Sequence, residues 1–136
     1  MFSKEEKEKL EFGTKIHYYL ETLDLQNPDL TDIESPYKEK IVAFLNCDLV
    51  KNIKDGNVYQ EYEFVEEDAN QDKHGVIDLM IEYADSIDII DYKLKNIMDD
   101  AYDKQLNGYK NYIEKISNKK VNIYLYSIVD SIYQKL

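Results

Sequence analysis

Apolar positions along the chain change period several times. From Ser3 to Leu23, Leu10, Ile16, Leu20 and Leu23 keep helical spacing, and Ser3 followed by Glu6 has the form of a capping box. Asn27-Pro28 interrupts that pattern. A second helical stretch runs from about Ser35, with Pro36 in its first turn, to about Asn46. Asp55-Gly56-Asn57 has turn chemistry. From Val58 to Val65 the pattern reads as a strand, with Val58, Tyr62 and Phe64 predicted on one face and Glu61 and Glu63 on the other. Two more strands follow: Val76 to Tyr83, with Ile77, Leu79, Ile81 and Tyr83 on a common face, and Ile87 to Leu94. Helical spacing returns from Asp99 to Ile116, where Tyr102, Leu106, Tyr109, Ile113 and Ile116 form one stripe, and β-formers fill Val121 to Ile128. The order α, α, β, β, β, α, β predicts an α/β (α+β) fold with a central mixed sheet of about four strands flanked by helices. A strand–helix–strand passage through Asp99 to Ile116 demands a crossover. No repeat or linker divides the chain, and 136 residues suit one core, so residues 1–136 are read as a single domain.

Composition removes several function classes. Hydrophobic residues make up 43% and charged residues 33%, which excludes a disordered tail, a collagen-like fibre and a low-complexity segment. No run approaches the ~18 apolar residues of a membrane span. The start, Met1-Phe2-Ser3-Lys4-Glu5-Glu6, lacks the apolar run of a signal peptide, so a cytoplasmic protein without a membrane partner is expected. Cys47 is the one cysteine, excluding an internal disulfide framework and any four-cysteine zinc or iron–sulfur site built from this chain alone. Gly13, Gly56, Gly75 and Gly108 make no phosphate-binding loop, so nucleotide hydrolysis is not supported.

The net charge is −11, which opposes generic nucleic-acid binding. Its distribution is uneven. From Glu61 to Asp91 there are 11 acids and one lysine, Lys73; from Lys93 to Lys120 there are seven lysines and four acids. Most of these acids read as solvated surface. A sharper reading is a cation site beside a helix that faces a polyanion.

The stretch from Gly75-Val76-Ile77-Asp78 to Asp91-Tyr92-Lys93 carries that reading. A hairpin turning between Ala84 and Asp85 puts Tyr83 opposite Ser86 and, by continuation, Asp78 opposite Asp91. Opposed side chains share a face with Cβ atoms about 5 Å apart, and Lys93 points to the same face as Asp91. Two like charges in that position destabilise a sheet unless a divalent cation or a lysine offsets them. Ala84-Asp85-Ser86 lacks strong hairpin-turn chemistry, and a slip by one residue would separate the two aspartates. The triplet acid–any–lysine says little alone, since chance supplies roughly three to four copies at this composition. Two features add to it. Gly13, His17 and Leu20 share a face of the first helix, with Gly13 leaving space one turn below the imidazole. Gln105 and Tyr109 lie four apart, stacked on one face of the long helix.

Together these pieces resemble the RecB-type branch of the PD-(D/E)xK nuclease superfamily, and most closely the C-terminal nuclease domain of AddA-like helicase–nucleases. The matching segments are Gly13-Thr14-Lys15-Ile16-His17-Tyr18-Tyr19-Leu20-Glu21, Glu61-Tyr62-Glu63-Phe64, Gly75-Val76-Ile77-Asp78-Leu79, Ile89-Ile90-Asp91-Tyr92-Lys93 and Gln105-Leu106-Asn107-Gly108-Tyr109. They occur in family order from Gly13 to about Ser127. The resemblance implies a restriction-endonuclease-like αβββαβ core. It implies a magnesium- or manganese-dependent deoxyribonuclease, an exonuclease that processes DNA ends in recombinational repair. It implies His17, Asp78, Asp91 and the Tyr92 backbone carbonyl as metal ligands, and Lys93, Gln105 and Tyr109 as further catalytic residues. Its implied partners are DNA, single-stranded or as ends, and a helicase motor in the same parent protein or complex. The chain lacks that motor, which suggests a fragment or a stand-alone domain, and it lacks the cysteines of iron–sulfur relatives.

The residue types fit this chemistry. Phosphodiester hydrolysis needs activated water and neutralised phosphate charge. Carboxylates favour magnesium or manganese, and an imidazole tilts the site slightly toward manganese. Lys93 is placed either to orient the attacking water or to stabilise developing charge. Lys95, Lys104 and Lys110 would contact phosphates locally. Tyr109 also lies on the apolar stripe, and Glu61 is left open between supporting the site and facing water. A competing reading is a non-catalytic acidic interaction module, a DNA mimic or scaffold. Clustering separates the two: a mimic spreads its acids along a face, whereas a nuclease converges His17, Asp78 and Asp91.

Overall fold

The computed structural model describes residues 3–67, 72–94 and 101–136. Helix α1 (Lys4–Thr22) begins where Ser3 accepts a hydrogen bond from the Glu6 N–H, as the capping pattern predicts. Helix α2 (Tyr37–Leu45) starts directly after Pro36. Two short 3-10 turns, Asp48–Val50 and Ile53–Asp55, lead into the sheet. Its strands are β1 (Asn57–Glu66), β2 (Lys73–Glu82), β3 (Ser86–Lys93), β4 (Lys120–Ser127) and β5 (Ile132–Lys135), with α3 (Ala101–Ile116) between β3 and β4. The expected start of that helix at Asp99 lies outside the described residues.

The sheet order is β1-β2-β3-β4-β5; β3 and β4 are parallel and the other pairs antiparallel. The mixed α/β architecture matches the expectation, with one strand more than the four counted from the sequence. β5 is four residues long, and its Ile132 and Tyr133 are exposed, so no buried alternation marks it.

Each face of the sheet carries its own core. Ile16 and Leu20 of α1 and Ile41 and Phe44 of α2 pack with Leu79, Ile81, Ile90 and Tyr92. Leu106, Tyr109 and Ile113 of α3 pack with Ile77, Met80, Ile87 and Ile89. The α3 stripe runs off the sheet at its end, where Ile116 is 58% exposed.

This partition corrects the predicted strand faces. Val58 packs toward α1 and α2, whereas Tyr62 and Phe64 pack toward α3. Likewise Ile77 packs on the α3 side and Leu79 and Ile81 on the other. Both strands change face at the same place. The β1–β2 register runs Gln60↔Leu79, then Tyr62↔Ile77, passing over Glu61 and Asp78. Glu61 has φ 52°, the left-handed conformation that a side chain with a Cβ adopts at a cost. One left-handed residue in mid-strand breaks the two-residue alternation, so the face assignment made from strict alternation fails there.

Comparing Glu61→Gly with Glu61→Val tests this backbone feature. Both variants remove the carboxylate, but glycine relieves the left-handed residue and a β-branched side chain aggravates it. In urea unfolding, Glu61→Gly is expected to be more stable than Glu61→Val by about 1–3 kcal/mol. Equal stabilities would contradict the left-handed backbone at this position.

Candidate active site

The β2–β3 ladder begins at the turn, where the Tyr83 N–H donates to the Ser86 carbonyl at 2.8 Å, and pairs Glu82↔Ile87 through Leu79↔Ile90. This is the register in which Asp78 and Asp91 come next to one another. There the strands stop pairing. The Asp78 side chain enters the gap, and its Oδ2 accepts the Tyr92 N–H at 2.9 Å. Asp78 and Asp91 also share a side-chain hydrogen bond.

His17 reaches this point from α1. Ile16 and Leu20 seat the helix in the core, and the neighbouring imidazole projects to the strand ends. Its Nε2 lies 3.4 Å from Asp78 Oδ1, and its Nδ1 lies 2.7 Å from Glu21 Oε1. The imidazole stands edge-on to the Tyr92 ring, with centroids 5.3 Å apart at 90°. Tyr92 is itself braced edge-on by Phe44. The space below the imidazole at Gly13 is taken by other side chains: a methyl there would sit 2.8 Å from Leu94 Cδ2 and 3.5 Å from Val129 Cγ2. Gly13 therefore lets α1 approach the end of β3 closely.

On the α3 side, Asp91 is 6% exposed and its Oδ2 lies 2.5 Å from Lys93 Nζ. Lys93 Nζ is 3.5 Å from Gln105 Oε1, and the Gln105 amide donates to the Tyr109 hydroxyl at 2.9 Å. Tyr109 belongs to the α3 core while its hydroxyl joins this chain of contacts. Gln105 and Tyr109 also line an open groove of about 770 Å³ with Phe64, His74, Lys104 and Lys115. Lys95 lies outside the described residues.

Charges are tightly interdependent here. The hydrogen bond with Asp78 lifts His17 to about 9, against burial, so the imidazole is protonated at neutral pH. Burial pushes Asp78 upward, but hydrogen bonds from His17, Asp91 and the Tyr92 N–H outweigh it and hold the carboxyl below its ordinary value. Burial, followed by the Asp78 charge, raises Asp91 to about 7, although Lys93 pulls the other way. Burial and the charges of Asp78 and Glu21 raise Glu61 to about 7.

Glu61 is the residue that the sequence left open. The turn in β1 brings it into the site: His17, Glu61 and Asp78 each offer a ligand atom, all within 4.8 Å of one another. One Glu61 carboxylate oxygen is buried with no hydrogen-bond partner among the described residues. Asp91 stands outside this group, joined to it through Asp78 and held by Lys93. An imidazole with two or more carboxylates suits magnesium or manganese, and the orphaned oxygen gives a cation a place to act. The structure thus brings together His17, Asp78, Asp91, Lys93, Gln105 and Tyr109. It adds Glu61 and Glu21, whose only sequence signals were membership in matching segments and, for Glu21, a position one helical turn after His17.

Fold and site define a mixed-sheet α/β domain with a histidine–carboxylate–lysine centre at the diverging ends of a hairpin. Comparison with known proteins finds a relative of this chain. The chain is 30% identical over 164 aligned residues to an ATP-dependent helicase/nuclease subunit from Clostridium beijerinckii (strain ATCC 51743 / NCIMB 8052). The match takes in 86% of this chain and 13% of that protein, so the chain spans a small part of the relative's length. This similarity supports a relation to that family. No family model matches the chain. Among the described residues, no helix is long and apolar enough to cross a membrane.

The protonation of the site sets how it takes up a cation. His17 must lose a proton with a pKa of about 9, and Asp91 and Glu61 protons of about 7, before the ligands are free. Manganese affinity measured by calorimetry is therefore expected to rise steadily from pH 6 to pH 9. Buffers of different ionisation heat are expected to report release of at least about one proton per ion at pH 7. An affinity independent of pH would contradict these assignments.

Proposed function

We propose that the chain is the nuclease domain of a helicase–nuclease: a magnesium- or manganese-dependent deoxyribonuclease, acting as an exonuclease on DNA ends or single strands. A helicase motor in the same parent protein or complex delivers the DNA, in the end-processing steps of recombinational repair. The observation that carries this reading is that His17, Glu61 and Asp78, far apart in sequence, meet at one point, with Asp91 beside Asp78 and paired to Lys93. That clustering favours the PD-(D/E)xK nuclease reading over an acidic mimic, whose charges would lie along a face. Similarity to part of a helicase/nuclease protein supports it.

His17, Asp78, Asp91 and the Tyr92 backbone carbonyl would hold the ion, with Glu61 beside them. When bound, the ion supplies an acidified water and neutralises charge at the scissile phosphate. Asp78 is kept ionised by its hydrogen bonds, so it is ready as an anionic ligand near neutral pH. Lys93 presents its ammonium to the charge that develops on the phosphoryl oxygens. Asp91 and Gln105 fix where that ammonium sits, and Tyr109 fixes Gln105. The groove along α3, with Lys104 and Lys115 on its wall, gives the strand a path past Gln105 and Tyr109. A motor that feeds DNA into this groove removes the need for strong independent DNA affinity, which a net charge of −11 disfavours.

Manganese-dependent cleavage of single-stranded DNA tests the proposal. The wild type is expected to cut weakly without its motor and to stop when a chelator is added. Asp78→Ala, Asp91→Ala and Lys93→Ala are each expected to lose at least about a hundredfold in rate. Wild-type cleavage by Asp91→Ala would reject this centre.

A further inference from the structure

The His17 imidazole is gripped at both nitrogens, and the shorter grip comes from outside the cation cluster. Nδ1 lies 2.7 Å from Glu21 Oε1, against 3.4 Å between Nε2 and Asp78 Oδ1. Glu21 sits four residues after His17 on α1, so the two side chains lie over the same stretch of helix. An ionised carboxylate only accepts hydrogen bonds, so the ring atom facing it must carry a proton. The edge of the Tyr92 ring fixes the tilt of the imidazole but treats its two nitrogens alike. Among the described residues, Glu21 makes the shorter contact, at Nδ1, which leaves Nε2 as the nitrogen turned toward Asp78. Metal-bound histidines commonly donate their second ring N–H to a carboxylate, which fixes the tautomer and strengthens the ligand.

We infer that Glu21 is a positioning residue for the centre: it holds His17 with Nδ1 protonated and directs Nε2 to the ion shared with Asp78. This inference rests on the metal-dependent reading proposed above. A role limited to helix stability, as an i, i+4 pair along α1, would leave metal affinity unchanged when Glu21 is lost.

Manganese titrations by calorimetry on the wild type, Glu21→Gln, Glu21→Ala and His17→Ala test it, together with nitrogen and proton NMR of the His17 ring in the metal-free proteins. The wild type is expected to bind, and both Glu21→Ala and His17→Ala to bind about 10- to 100-fold more weakly. Glu21→Gln, whose amide oxygen still accepts from Nδ1, is expected to recover most of the affinity. The NMR spectrum of the wild type is expected to show an exchange-protected, downfield Nδ1–H that survives in Glu21→Gln and vanishes in Glu21→Ala. Glu21→Ala with wild-type affinity, or with that Nδ1–H intact, overturns the positioning role while leaving the metal centre standing. A wild type that does not bind manganese overturns the metal reading, and this inference with it.

Discussion

Asp78 and Asp91 lie at adjacent points on neighbouring strands, and Glu61 lies across from Asp78 on a third. Like charges so arranged destabilise a sheet, and burial makes the repulsion stronger. The structure around them reads as a set of offsets to that repulsion. The β2–β3 ladder opens at this step, and the Tyr92 N–H turns to Asp78. Lys93 is drawn against Asp91, and His17 is brought from near the other end of the sequence. Packing of Ile16 and Leu20 against Ile90 and Tyr92 carries α1 to the carboxylates, so the core and the site are one construction. Burial, followed by the Asp78 charge, still lifts Asp91 and Glu61 to about 7, so these groups leave room for a further offset. A divalent cation is the natural remaining one.

Much of this was legible in the sequence because it depends on period and register. The strand patterns of Val76 to Tyr83 and Ile87 to Leu94 marked a hairpin, and a turn centred between Ala84 and Asp85 faced Asp78 with Asp91, while weak turn chemistry left a one-residue slip open. The observed Leu79↔Ile90 pairing is that register. The α3 stripe gave Leu106, Tyr109 and Ile113 a common buried face. The place of Glu61 was left open between supporting the site and facing water. A left-handed residue in a strand is signalled by glycine or asparagine, and glutamate gives no such sign. Its φ of 52° inverts the faces on either side and turns into the site a carboxylate that strict alternation sends to solvent. Glu21 was hidden differently: on an acidic helix, one more glutamate reads as surface until His17 is seen bonded to it. β5 escaped because a four-residue edge strand with exposed side chains has no alternation to read.

The acidic balance of the chain and the nuclease reading are compatible once charge is resolved by place. Glu61, Asp78 and Asp91 gather where a cation is to be held, and Lys104 and Lys115 of α3 line the groove. The chain covers 13% of the length of the helicase/nuclease protein it resembles.

The most direct measurement is a crystal structure of the protein with manganese, the ion located by its anomalous signal. The account predicts one manganese within about 2.0–2.3 Å of His17 Nε2 and of Asp78, with Asp91 completing the site and Glu21 still bonded to Nδ1. A manganese bound elsewhere, or bound by the carboxylates with His17 more than about 6 Å away, would contradict it.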